Sequence, residues 1–369
     1  MKKFFTSLLA FVLICSSAIM FSACKDKSSS GPATITFKEG VYSSSLIEDS
    51  VEFNENLTDE EHEMFMEYVN STAFDPIVDD ENLYDNIIAN IADYVQWFYL
   101  EIHENKVTTY AVVVEDNQYI QTKITIGNYK FKNNELNFGS DMETEYNIVE
   151  NEDNTLTLTT EEYFVTGYEN YYNVNYKKAY SYKVLLTPST PENPVAVPTP
   201  ESVFYANKTI AKHYRLVSLD AEGIYEDDAD ILSMSGIDSE EELVDLIKKY
   251  ANGEIILFTD GTVYYEMNAD MTTVTEALMN ESIPSSLRDM MDTKIRIGYM
   301  YQYRVSEDIL DAYDIYEHVE GEYDDGEPYS YDSVKATYTI DDATSNIIVT
   351  VLEENGYYTY TLAEVVQAE

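Results

Sequence analysis

The sequence contains few residues whose types and spacing could support a catalytic or metal site. The four histidines are isolated from one another and lack metal-ligand spacing. No Gly-x-Ser-x-Gly elbow, His-Glu-x-x-His helix or phosphate-binding glycine loop occurs. Asp and Glu number 69, so neighbouring carboxylates alone do not identify a glycosidase. The sequence gives no reason to predict an enzyme, a cofactor or a metal site, and an unrecognised hydrolase stays an open alternative.

Calcium is the first candidate cation for such an acidic chain. A calcium loop needs alternating oxygen ligands, a glycine and a closing glutamate. The acidic segments 227–230 and 322–327 lack that spacing. We predict no metal site there, although a weak Ca²⁺ site stays open.

Cys24 carries the most specific chemistry, because its thiol follows an apolar leader. Lys2 and Lys3 precede an apolar run over 4–21, and the small residues Ser22 and Ala23 stand directly before Cys24. This arrangement resembles the signal of bacterial lipoproteins, with Phe21 where that family more often has Leu. The resemblance implies that 1–23 are removed and that Cys24 becomes a lipidated N-terminus.

We therefore expect an extracytoplasmic protein, anchored by lipid on Cys24 to the cell membrane or to an outer membrane. Palmitate on the cysteine is one expected modification. The rival interpretation is an uncleaved transmembrane helix, which needs roughly 20 apolar residues. The hydroxyl residues within the leader and its small-residue ending favour cleavage.

The net charge of the chain restricts its partners. Lys and Arg number 22 against 69 Asp and Glu, which gives −47. Such a field repels phosphate backbones, so we expect no nucleic-acid partner. The simplest explanation is a well-solvated exterior, and a specific cationic ligand is the alternative.

Proline marks the division of the chain. Five of the nine prolines lie within 187–201, where they favour a stiff, extended segment. Residues 25–32 consist mainly of Ser and Lys with one Asp and one Gly, which is typical of a flexible tether. The sequence thus predicts a signal peptide (1–23), a tether (24–33), a first β domain (34–187), a proline-rich linker (188–201) and a second β domain (202–369).

Each half begins with a short strand and then has helical patterns. Thr58 and Glu61, and likewise Ser239 and Glu242, have capping-box spacing at a helix start. After the helices, both halves alternate apolar and polar residues with period two, as between Ile295 and Val305. Hairpin turns are predicted at four pairs: Glu104-Asn105, Asn133-Asn134, Asp260-Gly261 and Asn355-Gly356.

Segments 214–218, 258–264, 338–340 and 347–351 together are similar to the lipocalin-like domains of bacterial lipoproteins, and Gly40-Val41-Tyr42 provides a fainter version in the first half. Tyr stands where that family favours Trp. The resemblance implies a mainly β (α+β) protein with two antiparallel, lipocalin-like β-barrels that carry helical insertions.

Tyrosine is the residue type most suggestive of a binding site. The chain has 34 tyrosines and one tryptophan. Tyr299, Tyr301 and Tyr303 share one face of a predicted strand, where they either fill a core or line a barrel that accepts a small apolar ligand. We expect a non-enzymatic binding role at the cell envelope, towards such a ligand or towards an envelope or host protein. A surface carbohydrate-binding module or a structural role are the alternatives.

Overall fold

The structure is a computed structural model that describes most of the chain after residue 33. The described residues are 34–72, 82–115, 117–127, 129–140, 144–170, 173–222, 239, 241–242, 245, 252–270, 291–306, 309–314, 320–322, 328–330, 334–341, 343–352 and 357–365. The predicted signal peptide and tether, including Cys24, lie outside this part of the chain.

The first half combines nine strands with two helices. They are β1 Gly40–Phe53, α1 Asp59–Thr72, α2 Leu83–Gln96, β2 Phe98–His103, β3 Lys106–Glu115, β4 Gln118–Ile126, β5 Lys130–Lys132, β6 Glu135–Ser140, β7 Thr144–Glu150, β8 Leu156–Asn170 and β9 Asn173–Pro188.

Residues 189–199, which follow β9, contain no helix or strand. A short π-helix, Glu201–Tyr205, begins the second half. The strands that follow are β10 Ile210–Glu222, β11 Asn252–Phe258, β12 Thr262–Asp270, β13 Met291–Ser306, β14 Ile309–Asp314, β15 Glu320–Glu322, β16 Pro328–Ser330, β17 Val334–Ile340, β18 Ile347–Leu352 and β19 Tyr357–Glu364.

The protein is mainly β, and all strands except β15 and β16 belong to one large antiparallel sheet. In the first half, the pairing order is β5-β6-β7-β8-β9-β1-β2-β3-β4. Strand β4 then pairs with β13, where Gln118–Ile126 lies antiparallel to Met291–Tyr299. The sheet therefore runs from one half into the other.

The pairing of β4 with β13 differs from the predicted architecture. We expected two separate barrels, and that arrangement is not confirmed, because the edge of β4 is paired with the second half. Among the described residues, no pairing joins β4 to β5. The expectation of a mainly β, antiparallel chain is confirmed, and helices lie between β1 and β2 in the first half. Most of the segments predicted to be helical in the second half lie outside the described residues.

The two helices pack against the sheet of the first half, α1 against β8 and α2 against β1. The predicted capping box starts α1, because the Thr58 N–H donates to Glu61 Oε2 at 2.8 Å and the Glu61 N–H donates to Thr58 Oγ1 at 3.3 Å. Helix α1 buries Phe65 and Val69. Helix α2 buries four residues at helical spacing: Leu83, Ile87, Ile91 and Val95.

The turns follow the predicted chemistry where they are described. Glu104 and Asn105 have φ values of 46° and 62°, and Asn133 and Asn134 have φ values of 57° and 60°. Two successive positive φ values are typical of the tight hairpin turn that fits twisted strands. The predicted turn at Asn355-Gly356 lies outside the described residues.

Within the part of the chain that the structure describes, none of the helices is both long enough and apolar enough to cross a membrane.

Candidate ligand-binding site

The structure describes one of the three tyrosines predicted to bind a ligand. Tyr299 is half-buried on β13, and its ring stacks on that of Tyr265 with centroids 5.4 Å apart and planes at 16°. Gln118 Nε2 donates to the Tyr299 hydroxyl at 2.8 Å, and burial raises the pKa of this phenol. The backbones of Tyr301 and Tyr303 lie in β13, but their side chains are outside the described part.

A different group of side chains converges in the first half. Strand β8 places Thr160 opposite Tyr182 of β9, and Glu162 opposite Tyr180. Residues two apart on a strand share a face, so Thr160 and Glu162 both point to the side of Tyr180 and Tyr182. On the other edge of β8, Tyr146 of β7 lies opposite Thr160.

Glu162 is the centre of this group, which we call the Glu162 site: Tyr68, Tyr146, Thr160, Glu162, Tyr180 and Tyr182. The Tyr68 hydroxyl, from α1, donates to Glu162 Oε2 at 3.4 Å. Tyr182 lies near the same carboxyl group and acts to lower its pKa. Tyr180 and Tyr182 are buried, whereas Tyr68, Tyr146 and Glu162 each retain some exposure, so the site reaches solvent.

Burial dominates the electrostatics of this carboxyl. It raises the pKa of Glu162 to about 7, although the hydrogen bond from Tyr68 and the nearby Tyr182 act in the opposite direction. No ion pair of Glu162 occurs among the described residues. The nearby lysines have other partners: Lys177 Nζ lies 2.6 Å from Glu61, and Lys178 Nζ lies 2.8 Å from Glu161.

Thr160 adds an unusual feature. Its side chain is 1% exposed, and Oγ1 has no hydrogen-bond partner in the described part of the chain. Buried hydroxyl groups nearly always have a partner, because an unmet one costs about 1–3 kcal/mol. The same face of β8 therefore carries a half-buried carboxyl and a buried, unsatisfied hydroxyl two residues apart.

The surrounding walls are aromatic. The ring centroids of Tyr180 and Tyr182 are 6.1 Å apart. The centroid of Phe164 lies 6.4 Å from that of Tyr68, and the centroid of Phe53 lies 6.0 Å from that of Tyr180. This combination of apolar walls and a few convergent polar groups is typical of small-molecule sites. A carboxyl with a pKa near 7 can also exchange protons with a ligand.

A second polar group holds the two halves together, and its partners are well matched. Glu266 of β12 is 5% exposed and accepts from Arg296 Nε at 2.6 Å and from the Tyr264 hydroxyl at 2.7 Å. Asn268 Nδ2 donates to its other oxygen at 2.8 Å. We call this set the Glu266 cluster. Because the buried carboxylate is satisfied, the cluster is structural rather than a binding site.

The Glu266 cluster reaches the linker and the first half through Arg296. Arg296 Nη2 lies 3.6 Å from Glu201 of the π-helix, and the guanidinium carbon lies 5.8 Å from the Tyr119 ring of β4. The Tyr119 hydroxyl donates to the Pro198 carbonyl at 2.9 Å. The cluster thus fixes the linker against the strands where β4 meets β13.

Comparison with known proteins identifies no family for this chain. No family model and no curated protein matches it. Among solved structures, the erythromycin dehydratase is similar at 10% identity over 68% of each chain, with a TM-score of 0.12. An inactive mutant of the CurK dehydratase is similar at 9% identity over 70% of this chain and 98% of that chain, with a TM-score of 0.14. At these values the similarities carry no argument.

The sequence reasoning missed Glu162, although a signal for it exists. Leu156, Leu158, Thr160, Glu162 and Phe164 follow one another with period two, and three of these five residues are buried apolar side chains. A carboxyl on such a face has to be buried. No group of His, Cys, Asp and Glu suited to a metal ion occurs among the described residues.

Proposed function

We propose that this chain is an exported, lipid-anchored protein of the cell envelope that binds a small, partly apolar ligand without transforming it. The observation that carries the binding role is the Glu162 site. There, the Tyr68 phenol donates to a half-buried carboxyl that Tyr182 also approaches, and Thr160 Oγ1 is unsatisfied on the same face of the strand. Polar groups gathered against aromatic walls fix the orientation of a ligand, whereas a core without a ligand avoids them.

The anchor follows from the leader sequence. Cys24 stands directly after small residues and an apolar run, so lipidation of its sulfur would hold the acidic body at a membrane. Two acyl chains anchor a protein stably where one does not. Labelled palmitate should enter the native chain and be absent from Cys24→Ser. Equal labelling of the two, or none in either, would contradict the anchor.

We further propose a lipocalin-like arrangement for the second half. The pairings β10-β11-β12-β13-β14-β17-β18-β19 return to β10, which supports a barrel of eight antiparallel strands. In the first half, β1 pairs with both β2 and β9, as the first strand of such a barrel would. There β13 occupies the edge of β4 that would otherwise face β5.

Binding can be tested with 2-phenylethanol, a neutral ligand with one aromatic ring and one hydroxyl. Calorimetry with the purified chain should give a saturable signal. Tyr182→Trp should weaken it, because the larger ring enters the site. Tyr357→Trp, at an exposed position in the second half, should leave it unchanged. No saturable heat with the native chain, or equal heats in both variants, would contradict a site at Glu162.

A second candidate site lies at the Tyr265–Tyr299 stack. These rings share the face of β12 and β13 that also carries the buried Ile295 and Ile297. This is the apolar-ligand site predicted from the sequence, and it favours a flat apolar ligand. Tyr299→Leu should abolish binding of such a ligand there and leave the Glu162 site unaffected. An envelope or host protein as the partner is the remaining alternative.

A further inference from the structure

We propose that the Glu162 site selects ligands that carry an ammonium group on an aromatic or alkyl body. The inference rests on the proposed binding function and adds to it the chemical class of the ligand. It follows from three independent properties of the site: its hydrogen-bonding groups, its charge and its walls.

The hydrogen-bonding groups of the site are rich in acceptors. The Tyr68 hydroxyl directs its proton to the Glu162 carboxyl. The site offers a ligand the carboxylate oxygens of Glu162 and the lone pairs of the unsatisfied Thr160 Oγ1. A ligand that brings N–H donors matches these groups. An alkylammonium group brings three N–H donors at one point.

The charge of the Glu162 site is negative, because Glu162 is the one acidic or basic side chain among its six residues. Glu162 forms no ion pair among the described residues. Lys177 and Lys178 of β9 pair instead with Glu61 and Glu161. A cationic ligand would therefore provide the first opposite charge next to the buried carboxylate. The net charge of −47 also draws cations towards the chain and repels anions.

The walls suit the body of such a ligand. The rings of Tyr180 and Tyr182 offer apolar contact and aromatic faces, with Phe53 next to Tyr180 and Phe164 next to Tyr68. Cations are attracted to aromatic faces by the ring quadrupole, and this attraction grows where water is excluded. Tyr94 of α2, 49% exposed, interacts with both Tyr146 and Tyr182 and so lies at the solvent side of the site.

The inference is tested with three probes of similar size and different charge: phenethylamine, 2-phenylethanol and 3-phenylpropanoate. Calorimetry at pH 8 with the full-length chain should rank the amine first, by about tenfold or more over the alcohol, since hydrogen bonds to charged groups are worth about 1.5–3 kcal/mol. The carboxylate probe should bind least.

Two test variants and one control variant show whether the amine binds at the Glu162 site. Glu162→Gln should reduce amine affinity about tenfold or more and change alcohol affinity less than about threefold. Glu161→Gln is the matched control, because Glu161 is the neighbouring residue on the opposite face of β8 and should have no such effect. Thr160→Val, which keeps the side-chain shape, should weaken amine binding several-fold and provides a second measurement if Glu162→Gln does not fold.

The outcomes separate the two proposals. Alcohol binding that equals or exceeds amine binding overturns the ammonium class and leaves the binding function intact. Amine binding that neither Glu162→Gln nor Thr160→Val reduces also overturns it, since the amine then associates with the acidic surface. Absence of saturable binding by all three probes overturns the inference together with the proposed function.

Discussion

Gly298 of β13 lies directly beneath the side chain of Tyr264 of β12. A Cβ atom built on Gly298 would overlap the Tyr264 hydroxyl and ring. Gly298 pairs with Glu266 on one side and with Tyr119 of β4 on the other. The missing side chain therefore lets the Tyr264 ring cross the strand and donate to Glu266.

We predict that Gly298→Ala destabilises the protein by about 2–4 kcal/mol, because the buried Tyr264 ring cannot move away without losing its bond to Glu266. Urea unfolding measures this cost. Gly167→Ala is the control, since the nearest atom to its Cβ would lie 3.9 Å away. An equal cost at both positions would refute the close contact.

The Glu266 cluster should behave as a buried ion pair. Arg296→Met leaves the carboxylate of Glu266 without its cation, and we expect a loss of about 3–5 kcal/mol. The double variant Arg296→Met/Glu266→Gln should recover part of that loss, because no uncompensated charge remains. Arg215→Met is the control, since the Arg215 side chain is 62% exposed and 3.6 Å from Glu254. Additive costs of the two changes would contradict the pairing.

Much of the local structure could be predicted from the sequence, because short-range physical rules determine it. Thr58 and Glu61 form their predicted capping box. The alternation through Ile295 and Ile297 places both residues in the interior. Such features depend on residues a few positions apart, so the sequence pattern predicts them.

The pairing of β4 with β13 and the Glu162 site could not be predicted from such short-range rules. The register that sets Tyr119 opposite Gly298 links strands almost 180 residues apart, and no local pattern specifies it. The convergence of α1, β8 and β9 on Glu162 depends on how a helix crosses the sheet. Only the burial of Glu162 could have been inferred, from the period-two apolar face of β8.

Glu162 should lower the stability of the folded protein as pH rises, whereas most acidic residues lower it as pH falls. Its folded pKa of about 7 is above the ordinary value of 4.5, so the folded state retains the proton longer than the unfolded state. The stability from this group is fully present below about pH 4.5 and is lost as pH rises through 7. By contrast, Glu61, whose pKa is lowered to about 2 by Lys177 and Thr58, loses its contribution on acidification.

The comparison of Glu162→Gln with the native chain isolates this effect. Among the described residues, the titratable groups that interact with Glu162 are the phenols of Tyr68, Tyr146, Tyr180 and Tyr182, and Tyr94 lies near Tyr146 and Tyr182. Urea unfolding at pH 5 and pH 8 should show a decrease that is about 2 kcal/mol larger in the native chain, after allowance for solvent at a partly exposed carboxyl. Parallel pH profiles would show that Glu162 is ionised at both values.

The most direct test of the account is a carbon NMR titration of the Glu162 carboxyl group, assigned by comparison with Glu162→Gln. We predict a midpoint near pH 7 in the free protein and a clear decrease when phenethylamine saturates the site, because an adjacent cation favours the carboxylate. A midpoint near 4.5 that the amine does not move would contradict both the burial of Glu162 and its role in binding.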